Sequence, residues 1–287
     1  MQNVQLPKTS VGDVFYYQQL TISVFCIHNI KEKTARMYIY HEGQAKKTGN
    51  EICSLLLDYL KYVPRNNINE IHLYSDNCYG QNKNHTLVRM LLALTDSGQF
   101  SKIVHYFPIR GHSFLPCDRD FAIVKRKLKK HDRISTVHQL TELIVMSSKS
   151  NKSTVKEVKT EDIINFKEWW PKLYKKKVIS EETSSNITPR KFKVHFNIST
   201  YSQFSYDTQR KGRVEASQFI DGAFQHTFKL QQSGKTAVAL PSQQAYPLGK
   251  VPIKMTKMEH IRKCAAFVED QYQEFYTSIL SWPTTSN

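Results

Sequence analysis

Residues 70–84 read EIHLYSDNCYGQNKN, and their reading decides the fold. Ile71, Leu73 and the β-favouring Tyr74 read as the end of a buried strand, which Ser75-Asp76-Asn77 stops. Gly80 allows a sharp turn. Lys83 and Asn84 then lead into a helix on which Leu87, Leu91 and Leu94 recur at helical spacing. An acid at the carboxyl end of a strand, beside Asn77, Cys78, Gln81 and Asn82, sits where open α/β sheets put their ligands. The same residues also suit an Asx turn in which Asp76 or Asn77 caps the helix. Local sequence leaves both readings open.

A second stretch, IVHYFPIRGHSFLPCDRDF (103–121), repeats strand, turn and helix start. Gly111 and Pro116 bracket the turn. Asp118 and Asp120 fall in the first helical turn, where the helix dipole favours a carboxylate. With Asp76 on the same rim of one sheet, these acids would supply the carboxylates that a divalent metal and a phosphodiester need. Upstream, VFYYQQLTISVFCIHNI (14–30) and ARMYIYHE (35–42) alternate as a strand hairpin, with Leu20, Ile22, Val24 and Cys26 on one face. A helix opens at Gly49. The order is strand, strand, helix, strand, helix, strand, helix, which describes an α/β mixed sheet flanked by helices.

YSDNCYGQNKN and GHSFLPCDRDF resemble signatures of a large family of insect and other animal proteins taken to derive from transposable elements. Further similarity lies in MQNVQLPK, in FYYQQLTISVFCIHN and, more weakly, in KMEHIRKCAAFVEDQYQEFY near the end. The resemblance implies a ribonuclease-H-like, DDE-transposase-type domain, with Mg²⁺ or Mn²⁺ held by Asp76 and Asp118 or Asp120 if catalysis survives. In that family the first strand and its acid lie upstream of the segment matching Met1-Gln2-Asn3, so the expected fold lacks its usual first strand. The family's Gly and Glu after DRDF are replaced here by Ala122 and Lys125. A cation at that position opposes a metal. The resemblance therefore leaves two readings: a catalytically decayed or fragmentary binding protein, favoured here, and an active metal-dependent nuclease or strand transferase.

The totals agree with a partner of opposite charge. Lys and Arg outnumber Asp and Glu by 41 to 25, and a formal charge of +16 on 287 residues favours DNA or RNA. The run Lys125, Arg126, Lys127, Lys129, Lys130 and Arg133, with Lys83 beside the first acid, reads as a phosphate-binding face; a nuclear import signal or a solvated surface fits the run too. Five cysteines without a CxxC pair suit a reducing compartment, and no apolar run reaches membrane-spanning length. An intracellular, nuclear protein without a membrane partner is expected. A zinc site from Cys78, Cys117 and His112 is conceivable, although no pair among these three has the usual close spacing.

Three segments follow from the pattern: a ribonuclease-H-like domain over 1–134, a helical connection over 135–179, and a smaller α+β region over 180–287. The connection holds an exposed polar loop around 148–160 and an amphipathic helix ended by Pro171, whose Trp169 and Trp170 read as packing anchors or, with Tyr174 and Lys172, Lys175, Lys176 and Lys177, as a nucleic-acid surface. The last region holds a small antiparallel sheet and a long closing helix, 256–280. Met258, Ile261, Ala265, Val268, Tyr272, Phe275 and Ile279 give that helix one apolar seam. The seam either docks on the protein's own body or forms a homodimer.

Overall fold

The computed structural model describes residues 1–62, 68–109, 114–148, 153–183, 191–222, 226–234 and 239–286. Along the chain, β1 (Gln2–Leu6), β2 (Leu20–Asn29) and β3 (Thr34–His41) lead to α1 (Gly49–Tyr62). Next come β4 (Glu70–Tyr74), α2 (His85–Asp96), β5 (Lys102–Tyr106), α3 (Pro116–Leu128), α4 (Val137–Val145) and β6 (Ser153–Glu157). The single-turn α5 (Phe166–Trp169) precedes β7 (Ile179–Thr183), β8 (Lys191–His195), β9 (Gln203–Asp207), β10 (Arg213–Ser217) and β11 (His226–Lys229). The chain closes with β12 (Ile253–Lys254), α6 (Met255–Ala265), α7 (Gln273–Leu280) and β13 (Thr284–Thr285).

The architecture is α/β and ribonuclease-H-like, a mixed sheet flanked by helices, with a smaller α+β part that ends in the helices α6 and α7. Its strands divide between two principal sheets, in the orders β1-β2-β3-β6 and β11-β10-β9-β5-β4. Two compact units result. One comprises Met1–Lys46, Phe114–Ile163 and Tyr246–Asn287; the other comprises Lys47–Ser113 and Ile164–Ala245. Both are discontinuous, so they cut across the consecutive segments 1–134, 135–179 and 180–287. Among the described residues no helix is long and apolar enough to cross a membrane.

The first unit is built on the β2–β3 hairpin. Alternation along β2 turns Leu20, Ile22, Val24 and Cys26 to one face, and β3 adds Ala35, Met37 and Ile39. Phe121, Val124 and Leu128, three or four residues apart on α3, pack on that face with Leu140 and Ile144 of α4. Thr136 caps α4 by accepting from the Gln139 amide at 3.2 Å. Two strands were not legible in the sequence. Gln2–Leu6 pairs antiparallel with β2, and Ser153–Glu157, read as part of an exposed loop, pairs parallel with β3 while Val155 packs on the core. The closing helical segment is interrupted after Ala265, where the Gln273 side-chain amide donates to the Ala265 and Val268 carbonyls. Met258, Ile261, Ala265, Val268 and Ile279 lie in this unit's core and Tyr272 and Phe275 pack against it. The seam offered as a homodimer face is thus used within the unit.

In the second unit β4 runs parallel to β5, β5 runs antiparallel to β9, and β10 and β11 complete the sheet. The sheet expected apart, near residues 190–230, instead extends the one that holds β4 and β5. The physical reason is β5 itself: Ile103, Val104, His105 and Tyr106 are all buried, which requires a neighbour on each side. β4 is an exposed edge rather than a buried strand. Glu70, His72 and Tyr74 face solvent, and the rings of Tyr74 and Tyr106 stack 4.7 Å apart. α2 is buried from Thr86 to Thr95. The amphipathic helix expected through Trp169 and Trp170, ended by Pro171, is a single turn because it begins only at Phe166, where Asn165 caps it; Trp170 is buried and the Trp169 indole donates to the Ala239 carbonyl at 2.9 Å.

Candidate functional site

The loop after β4 is tied together by its own side chains. Asp76 is exposed, and its Oδ1 accepts from the Cys78 amide at 3.3 Å and from the Asn82 side chain at 2.6 Å. The first of these bonds is an Asx turn. The Cys78 carbonyl gathers the amides of Gln81, Asn82 and Lys83 at 3.1, 2.8 and 3.0 Å. Gly80 stands in open space without a positive φ, so the turn does not depend on it. Asn77 bridges two segments, donating to the Pro108 carbonyl at 2.7 Å and accepting from Lys83 Nζ at 2.9 Å.

Lys83 is buried rather than available to phosphate. Its ammonium lies 5.1 Å from the Phe107 ring centre, and burial lowers its pKa. The helix cap is Asn84, not Asp76 or Asn77: its Oδ1 accepts from the Leu87 amide at 3.0 Å. Asn84→Ala is expected to cost about 1 kcal/mol of stability, which a denaturant midpoint would register.

The second stretch divides between the units: its strand lies with Asp76, but from Phe114 on it belongs to the other unit, so Asp76 shares no unit with Asp118 and Asp120. Asp118 closes the start of α3, its Oδ2 accepting from the Leu115 amide at 3.1 Å. Asp120 lies on the next part of the turn and meets β2. His28 Nδ1 is 2.7 Å from Asp120 Oδ2, with Cys26 Sγ at 3.8 Å from the same oxygen. Cys117 Sγ donates to the Cys26 carbonyl at 3.4 Å.

Donor atoms of Cys26, Cys117 and Asp120 all lie within 4.8 Å of one another, so the three can coordinate one divalent ion. A hydrogen bond between the two thiols lowers the pKa of Cys117 and, with burial, raises that of Cys26 well above the ordinary range. Asp120 and His28 also border a cavity of about 430 Å³, together with Lys33 and Arg119.

The zinc ligands suggested by the sequence are Cys78, Cys117 and His112. Cys78 lies in the other unit, and His112 lies outside the described residues. Cys117 is joined instead by Cys26 and Asp120. The signal was present: Cys26 and His28 are two apart on a strand, Cys117 and Asp120 three apart on a helix, and each spacing puts both side chains on one face.

The basic run is an outward face. Lys125, Arg126, Lys129, Lys130 and Arg133 are exposed while Val124 and Leu128 are buried; Lys127 is half-buried. Arg133 pairs with Glu269 at 3.3 Å. Beside α3 runs an apolar groove of about 390 Å³, floored by Val4, Val24 and Phe121 and edged by Lys8, Lys125 and Lys129. Phe15 at the groove and neighbouring Tyr16 are 87% and 81% exposed, with ring centres 5.7 Å apart.

The model of one protein family, described as a domain of unknown function (DUF7869), matches residues 17–211. The chain belongs to this family. The DUF7869 match spans β2 through β9 and includes Asp76, the Cys26–Cys117–Asp120 cluster and the basic face of α3. No curated protein and no solved structure matches the chain.

Proposed function

We propose that this chain is a transposase-derived nucleic-acid-binding protein that has lost strand cleavage. The observation that carries the reading is the surface at the end of α3 and just past it. Five exposed cations lie there between Lys125 and Arg133, and Lys8, Lys125 and Lys129 edge a groove beside the exposed Phe15 ring. Cations that track phosphates beside aromatic faces that stack bases are the two components of single-strand recognition. The acids support loss of cleavage. Asp118 is engaged as a helix cap, Asp120 sits among sulfurs and an imidazole, and Lys125 is exposed on the same helix. A protein of this kind works inside the cell, in the nucleus.

Binding of a labelled DNA or RNA strand is expected to weaken steeply with salt. About five neutralised phosphates correspond to a log–log slope of about −3.5 for a single strand and about −4.5 for a duplex. Exchanging Lys125 and Lys129 for Glu should flatten the slope, and Phe15→Ala should weaken single-strand binding by about 1–3 kcal/mol. Affinity indifferent to salt would sink the reading.

One observation favours the alternative, an active nuclease or strand transferase using Mg²⁺ or Mn²⁺: Asp76 is exposed just beyond the end of β4. A nicking assay with either ion separates the two. The favoured reading expects no product from the chain or from Asp76→Ala; cleavage that disappears in the variant would establish the alternative.

A further inference from the structure

We infer that Cys26, Cys117 and Asp120 form a zinc site in which His28 positions the Asp120 carboxylate. The donor set is the first reason. Two sulfurs and one carboxylate select a thiophilic ion, whereas Mg²⁺ and Mn²⁺ take oxygen donors. Spacing is the second. Tetrahedral zinc holds sulfur at about 2.3 Å and carboxylate oxygen at about 2.0–2.2 Å, which puts the donors about 3.5 Å apart. The observed Cys26 Sγ to Asp120 Oδ2 distance is 3.8 Å. Little movement is needed to close on an ion.

The third reason is the way the site is held. Cys26 comes from β2, paired opposite Met37 of β3, and Cys117 and Asp120, three residues apart, come from the start of α3. Both elements are anchored by the same core, so the donors converge without a mobile loop. His28, two residues beyond Cys26, bonds Asp120 from the same strand at 2.7 Å. That is the outer-shell hydrogen bond by which ligating carboxylates are oriented. Without an ion the cluster is held by the Cys26 thiol donating to Asp120 Oδ2 and by His28 bonding the same oxygen; with an ion, thiolates and carboxylate turn the same donor atoms onto one cation. On binding, both thiols give their protons to solvent and become thiolates, and the fourth position is left to solvent.

The test uses the full chain, reduced and stripped with a chelator, then titrated with Zn²⁺ or Co²⁺ alone. The expected result is one zinc per chain, released by a mercurial reagent, and a cobalt form with a sulfur-to-metal charge-transfer band. Cys117→Ser should lose both signals; Cys78→Ser, whose thiol lies in the other unit, should keep them. His28→Ala should bind about 10–100-fold more weakly. Because Cys26 is in the core, Cys117→Ser is the deciding variant, with its fold checked by circular dichroism. Failure of the reduced wild-type chain to take up zinc, a cobalt spectrum without the sulfur band, or uptake unchanged in Cys117→Ser would each overturn the inference.

Discussion

Arg89→Ala is expected to destabilise the unit that holds it by about 3 kcal/mol or more. Arg89 is fully buried in α2, an uncommon place for a guanidinium. Its charge is accommodated by neutral partners. One nitrogen donates to the Lys175 carbonyl at 2.7 Å and another meets His85 Nδ1 at 2.8 Å, while the Trp170 and Phe196 rings lie 5.0 and 5.1 Å from the guanidinium carbon. Burial lowers its pKa to about 10, so it stays protonated at neutral pH. Truncation removes the stacked plane, leaves the Lys175 carbonyl without its donor and opens a cavity. Arg89→Lys should recover only part of the loss, because an ammonium cannot present a flat fork to two rings. Denaturant unfolding followed by tryptophan fluorescence reads this directly, since Trp169 and Trp170 lie in the same unit. An unchanged midpoint in Arg89→Ala would refute the assignment.

Acid should weaken both units well above the range in which carboxylates titrate. Burial pushes His41 and His85 down to about 4 and His105 down to about 3, so all three are neutral in the folded chain at pH 5. The unfolded chain protonates them near their ordinary value of about 6.5. Below that pH the unfolded state binds more protons, so stability falls as pH drops and is fully retained above it. Each group contributes a slope of up to about 1.4 kcal/mol per pH unit, or about 2 kcal/mol by pH 5 for a fully buried imidazole. His105 is the strongest case: Ser75 Oγ meets its Nε2 at 2.8 Å, and Nδ1 is buried with no hydrogen-bond partner among the described residues. In His105→Asn the slope between pH 6.5 and 5 should shrink by about one proton's worth. A denaturation midpoint that stays flat from pH 7 to pH 5 would contradict these assignments.

The sequence carried the local periodicities well. Leu20, Ile22, Val24 and Cys26 on β2, and Phe121, Val124 and Leu128 on α3, are core because their spacing matches the element that holds them. Pairing was less legible. β4 and β5 read as neighbours and are, yet that β9 would flank β5 is a choice among distant partners that no local pattern encodes. β6 was missed because STVKE is polar, and its strand state comes from the open edge of β3. The site divided in the same way. Asp118 and Asp120 were singled out for their place in a helical turn, but Cys26 and His28 sit some ninety residues away on another element. Only the hairpin packing on α3 brings the two pairs together.

The discontinuity of the two units bears on how the protein is made. Residues 1–46 leave the ribosome some two hundred residues ahead of 246–287, which supply part of the apolar surface that covers them. During synthesis the hairpin must wait, its Leu20–Cys26 face only partly covered, until residues 246–287 are available. Shortened versions that stop before residue 246 should accordingly be recovered as aggregates.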